Sequence, residues 1–194
     1  MKNSNFFAFI SRMKYINRWG LMRNTREENV SEHSLEVAVI AHVLTIIQRK
    51  RLNININPER TVLYAIYHDS SEIYTGDLPT PVKYYNSSIK EAYKNVELSA
   101  NKRLLNLLPK DFYDIYEPIL MPKDEEKAIW ETIKAADKIS ALIKCIEEEK
   151  SGNKEFMKAK QSILNDIKNM NRQDVEIFME EFIGGYYLTL DEME

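Results

Sequence analysis

Apolar side chains recur at helical spacing along most of this chain. Phe6, Phe7, Ile10, Met13 and Ile16 fall near a 3.6-residue period, and after Ser31 the pattern resumes with Leu35, Val39, Val43 and Ile46. Ser31 is a candidate N-cap for this second helix, and Asn29 with Glu32 three residues on has the form of a capping box. Asn57-Pro58 reads as a helix start, with an Asn cap and Pro in the first turn. From there Val62, Ala65, Ile66 and Ile73 carry an apolar stripe toward Tyr74. The pattern predicts further helices over residues 88–108, 111–120, 125–150 and 173–183. The strongest break is GDLPTPVKYYNSS at 76–88, where turn-forming residues crowd into a predicted loop. No repeat or low-complexity tract interrupts the chain.

Composition agrees with helices. Only 5 Gly and 6 Pro occur in 194 residues, too few for a turn-rich β architecture. With 44% hydrophobic and 29% charged residues the chain reads as globular, and its length suits one domain over 1–194. An all-α, single-domain helical bundle is the expectation. The formal net charge of -3 argues against binding a nucleic-acid polymer, while a small anion needs only one or two local cations. Cys145, in the apolar run ALIKCIEEE, has no partner for an internal disulfide and points to a cytoplasmic setting. Arg12 and Lys14 break the apolar N-terminal patch before a signal core or membrane span forms, so no membrane association is expected.

Three histidines occur. His33 and His68 lie where apolar helical faces begin or pass through a candidate core; taken singly, each is more often a hydrogen-bonded core residue than a ligand. His42 fits the core-residue reading, since no carboxylate accompanies it at ligand spacing. The case changes at His68-Asp69 in YAIYHDSSEIYTGD, because an ionised carboxylate on a buried face needs a cation or dense hydrogen bonding. Neither Lys nor Arg lies between Val62 and Pro81. Asp137 in KAADKISALIKC poses the same question; an ion pair with Lys134 or Lys138 is the plain alternative. Together, His33, His68, Asp69 and Asp137 form a set of two imidazoles and two carboxylates from three helices. If 67–74 is helical, Glu72 follows Asp69 by three positions and His68 by four, and projects from the ligand side.

The order His, His-Asp, Asp resembles the HD-domain phosphohydrolase superfamily. Phe6-Phe7, INRW at 16–19, ENVSEHS at 28–34, YHDSSE at 67–72, TGDLPTPVKY at 75–84 and LTLDE at 188–192 together resemble a bacterial 5′-deoxynucleotidase. The resemblance implies an HD-domain bundle that removes phosphate from 2′-deoxyribonucleoside 5′-monophosphates, using a divalent cation held by His33, His68, Asp69 and Asp137. Cobalt or manganese is the implied ion, and the mixed ligand set also admits zinc, copper or magnesium. In this reading Glu72 handles a proton, against the alternative of orienting a ligand or water. Arg18 grips the phosphate through its planar fork, against the alternative of a surface arginine. Trp19 is implied to leave no room for a 2′-hydroxyl, with Asp77, Leu78, Pro79 and Thr80 as a turn that holds the sugar; an Asp after Gly in a turn also serves the backbone alone. Asp69 and Asp137 would reach both metal and substrate, and a homodimer is implied. Two rivals stay open: an HD hydrolase of another nucleotide or phosphoester, and a metal-stabilised nucleotide-binding module without catalysis.

Overall fold

A computed structural model describes residues 3–83 and 85–194; Tyr84, the last residue of TGDLPTPVKY, lies outside the described residues. Among the described residues ten α-helices follow in order: α1 (Phe6–Ile10), α2 (Val30–Arg51), α3 (Pro58–Tyr67), α4 (Glu72–Thr75), α5 (Thr80–Lys83), α6 (Ser87–Leu105), α7 (Tyr113–Leu120), α8 (Lys127–Lys150), α9 (Met157–Asn169) and α10 (Gln173–Glu181). Short 3-10 turns join several of them. Among the described residues the only extended pairing is one antiparallel bridge, Asn17 with Asn29.

The bundle is organised by α2, α3 and α8. Asn57 caps α3 as expected, accepting the Arg60 N–H at 2.8 Å ahead of Pro58. At α2 the cap is Asn29, not Ser31: its side chain accepts the Glu32 N–H at 3.0 Å, and Ser31 lies inside the first turn. Such a cap is worth about 1 kcal/mol. The stripe on α2 also differs from expectation. Leu35 and Val39 are exposed, and the face turned to α3 and α8 carries Val37, Ala38, Ile40, Ala41, Leu44 and Ile47. Alanines let the neighbouring helices approach closely, which an aliphatic periodicity does not register. His42 is exposed and not a core residue. By length and hydropathy α2 could cross a bilayer, yet 56% of that stretch is buried within the bundle.

On α3, Thr61, Tyr64 and Ala65 face inward, whereas Ile66 is exposed. On α8, Ile133, Ala136, Ile139, Leu142, Ile143 and Ile146 complete the main core, with Cys145 buried among them. A second cluster of Phe6, Leu104, Leu105, Leu108 and Leu120 joins α1, α6 and α7 beside the turn after α3. Two elements were not expected. Helix α9 packs on α8 but buries only Ile163 and Ile167, too few for a readable stripe. Helix α5 forms inside the predicted loop at 76–88.

Candidate active site

The predicted helix through residues 67–74 ends early. α3 stops at Tyr67, and a run of tight turns follows: Ser70 N–H bonds Tyr67 O at 3.0 Å, Glu72 N–H bonds Asp69 O at 3.0 Å, and Tyr74 N–H bonds Ser71 O at 3.0 Å. His68 and Asp69 therefore sit at a helix end, and the turn, not an unbroken helix, places Glu72 beside them.

Three segments converge there. The Nε2 of His33 lies 3.1 Å from Asp137 Oδ1 and 3.6 Å from Asp69 Oδ2. The Nε2 of His68 lies 3.1 Å from Asp69 Oδ2. Ligand atoms of His33, His68 and Asp69 all fall within 4.8 Å of one another. Each imidazole is oriented from behind. His68 Nδ1 lies 2.7 Å from the Ala65 carbonyl, which only accepts, so this nitrogen carries the proton. His33 Nδ1 is 3.0 Å from Ser140 Oγ, whose own proton goes to Glu36 Oε2 at 2.5 Å; Ser140 thus accepts from His33. In the neutral form that a metal ligand requires, both rings would turn a lone pair at Nε2 toward the carboxylates, and neither buried Nε2 has a hydrogen-bond partner. Two orphaned imidazole nitrogens facing two carboxylates fit a first-row divalent cation.

The charges respond to this crowding. Burial and the Arg18 charge both disfavour a charged His33, but the Asp137 and Glu28 carboxylates outweigh them and push it up to about 9. Burial would raise Asp69 and Asp137; the imidazoles and Arg18 instead hold Asp69 well below the carboxylate range and Asp137 down to about 2. Glu72 goes the other way: burial, reinforced by Asp69 and Asp77, pushes it up to about 10. Its Oε2 is buried without a hydrogen-bond partner, an environment that favours the protonated carboxyl.

Arg18 is not a surface residue; its side chain is 11% exposed. Its Nη1 lies 3.5 Å from Asp69 Oδ2, and its Nη2 lies 4.0 Å from Asp137 Oδ1. This is the cation missing from residues 62–81. Beside it, Trp19 adopts φ of 58°, and its ring leans on Phe156 at 5.2 Å. Its backbone N–H donates to Asp77 Oδ2 at 3.1 Å, so Asp77 has a backbone role at least. A groove of about 710 Å³ opens from this point, within the range of small-ligand sites. Arg18, Trp19, Asp77, Leu78, Pro79 and Thr80 line one wall, together with Asp137. The far wall is α9, through Lys158, Ser162, Ile163 and Asp166, none of which was expected from the sequence. Glu28, Glu36 and Ser140, which stand behind Arg18 and His33, were also missed.

Comparison with known proteins follows the same lines. A family model described as 5'-deoxynucleotidase YfbR-like matches residues 5–186. The 5'-deoxynucleotidase YfbR of Escherichia coli is 47% identical over 196 residues, covering 100% of this chain and 97% of the relative. Among solved structures, an HD-domain phosphohydrolase from Listeria innocua superposes with a TM-score of 0.80 at 26% identity, over 94% of this chain and 88% of its own. The cyanophage S-2L HD phosphohydrolase DatZ, solved with dA and one catalytic Zn2+ ion, reaches a TM-score of 0.65 at 17% identity, over 97% and 99%. The helical bundle, the convergent His and Asp side chains and the full-length similarity lead to one placement: the chain belongs to the 5'-deoxynucleotidase YfbR-like family of HD-domain phosphohydrolases.

Proposed function

We propose that this protein hydrolyses 2′-deoxyribonucleoside 5′-monophosphates to deoxynucleoside and phosphate, in preference to ribonucleotides. The observation that carries this reading is the pair of orphaned Nε2 atoms of His33 and His68 beside Asp137 and Arg18, two residues that also line a groove with Trp19, in a chain of this family. His33, His68, Asp69 and Asp137 would hold a divalent cation, with cobalt or manganese the assigned ions. When bound, such an ion supplies Lewis acidity and makes water nucleophilic near neutral pH.

The rest of the work falls to side chains of this chain. Arg18 binds the phosphate oxygens and offsets charge as the water oxygen bonds to phosphorus. As the bond from phosphorus to O5′ breaks, protonated Glu72 supplies the proton that the departing oxygen needs, and water restores it. Trp19 closes the groove at C2′, and Asp77, Leu78, Pro79 and Thr80 hold the sugar. The same reading takes the protein as a cytoplasmic homodimer, supported by the single buried thiol and by Leu35 and Val39 standing exposed on α2.

The test is phosphate release from matched dAMP and AMP by metal-stripped protein restored with cobalt, manganese, magnesium or zinc. Release from dAMP far faster than from AMP, dependent on added metal, is expected; equal rates would defeat the assignment.

A further inference from the structure

The proposed site names Arg18 and Trp19, yet neither holds its own position, and the loop that carries them, residues 16–30, is a long excursion between α1 and α2. The loop is closed on itself. Arg18 N–H donates to Glu28 O at 2.8 Å, Val30 N–H donates to Ile16 O at 2.9 Å, and Asn17 pairs with Asn29. This brings Glu28 directly behind Arg18 and Trp19.

The Glu28 side chain is 13% exposed and faces three groups at once. Its Oε2 accepts the Trp19 indole N–H at 3.0 Å and lies 3.5 Å from Arg18 Nε. Its Oε1 lies 3.6 Å from His33 Nδ1. Trp19 needs such a hold, because a left-handed φ in a bulky residue persists only where the surroundings over-determine it. Asp77 fixes its amide and Phe156 supports its ring face. Among the described residues, Glu28 is the hydrogen-bond partner of the indole N–H, and so fixes the direction of the indole edge. Glu28 does not line the substrate groove; it borders a separate cavity of about 120 Å³ with Glu32, Glu36 and Lys144 on the opposite side.

We infer that Glu28 is a positioning residue for sugar selectivity: by gripping the Trp19 indole it sets the wall that separates deoxyribose from ribose, and it ties that wall to Arg18. This rests on the deoxynucleotidase reading above. Glutamine keeps a carbonyl acceptor for the indole N–H, whereas alanine removes it.

The test compares kcat/KM on dAMP and AMP for the unaltered protein, Glu28→Gln and Glu28→Ala, in saturating cobalt. Calorimetry of deoxyadenosine and adenosine binding to the metal-free proteins gives a second readout independent of turnover. Glu28→Ala should lower the dAMP to AMP ratio on the order of tenfold, the effect of losing one orienting hydrogen bond, while Glu28→Gln should stay within about twofold of the unaltered ratio. Should Glu28→Ala fail to fold, Trp19→Phe removes the same bond from the other side and should lower the ratio likewise. A ratio unchanged in Glu28→Ala, or in Trp19→Phe where that variant stands in for it, overturns the positioning role and leaves the deoxynucleotidase reading intact. Equal rates on dAMP and AMP in the unaltered protein would instead overturn that reading, and the selectivity role with it.

Discussion

The Asp77 carboxylate accepts the backbone N–H of Trp19 at 3.1 Å, across 58 residues of sequence. Trp19 has φ of 58°, a conformation that costs a residue bearing a Cβ roughly 1–2 kcal/mol. The turn following His68-Asp69 thus holds the loop following α1, and the two segments that line one wall of the groove become a single unit. A strained aromatic residue held by buried or half-buried carboxylates is a device for presenting a rigid surface to a ligand.

That rigidity gives the first prediction. Trp19→Leu should raise activity on ribonucleotides relative to deoxyribonucleotides by roughly one to two powers of ten, because a 2′-hydroxyl no longer loses its hydration against an apolar wall. Arg18→Ala should depress both substrates alike, since both carry the same phosphate. Steady-state kinetics on dAMP and AMP distinguish the two effects; an unchanged ratio in Trp19→Leu would remove Trp19 from sugar selection.

Much of this arrangement can be read along the chain, for identifiable reasons. Asn57-Pro58 marks the start of α3 because cap chemistry is local, and α6, α7, α8 and α10 lie close to their predicted spans. The structure brings His33, His68, Asp69 and Asp137 together, residues that stand out because a buried carboxylate without a cation in its own segment demands an explanation. What is not readable depends on tertiary contacts. The inward face of α2 is built partly from alanines, so the exposed Leu35 and Val39 dominate its pattern. Helix α9 offers mostly polar residues, since one of its faces borders the groove instead of the core. The halt of α3 at Tyr67 has no proline or glycine to announce it. Glu28 acts through neighbours that only the closed loop supplies.

A second prediction separates metal retention from proton transfer. His33→Ala, His68→Ala, Asp69→Ala and Asp137→Ala should each lose bound metal and activity together, as measured by metal content after gel filtration and by phosphate release. Glu72→Gln should keep its metal while kcat falls by about 10²–10⁴, because a buried amide has no proton to give. Loss of metal in Glu72→Gln would reassign Glu72 to the ligand set; normal turnover would end its role as acid.

The third prediction concerns acid stability and the support beneath the loop. Glu148 on α8 is almost fully buried and accepts from Thr25 N–H at 3.0 Å, Thr25 Oγ1 at 2.8 Å, Asn153 Nδ2 at 2.8 Å and Lys144 Nζ at 2.5 Å. Burial alone would raise its pKa, but Lys144, Asn153 and Thr25 together bring it down to about 2. A carboxylate whose folded pKa lies below its ordinary value of 4.5 contributes stability that is complete above 4.5 and disappears as pH falls toward 2. Glu148→Gln removes that contribution and leaves the buried Lys144 ammonium without its counter-charge. At pH 7 the variant should therefore unfold roughly 3–5 kcal/mol more easily, the usual cost of breaking one side of a buried pair. Urea titrations of both proteins at pH 7, 5 and 3 should find a gap that is widest at pH 7, little changed at pH 5 and clearly narrowed at pH 3. Comparing the pair cancels the opposite trend from Glu72, whose raised pKa favours the folded state as acid is added. A gap that stays constant across this range would mean that Glu148 is not the ionised anchor holding Thr25, and with it the loop, against α8.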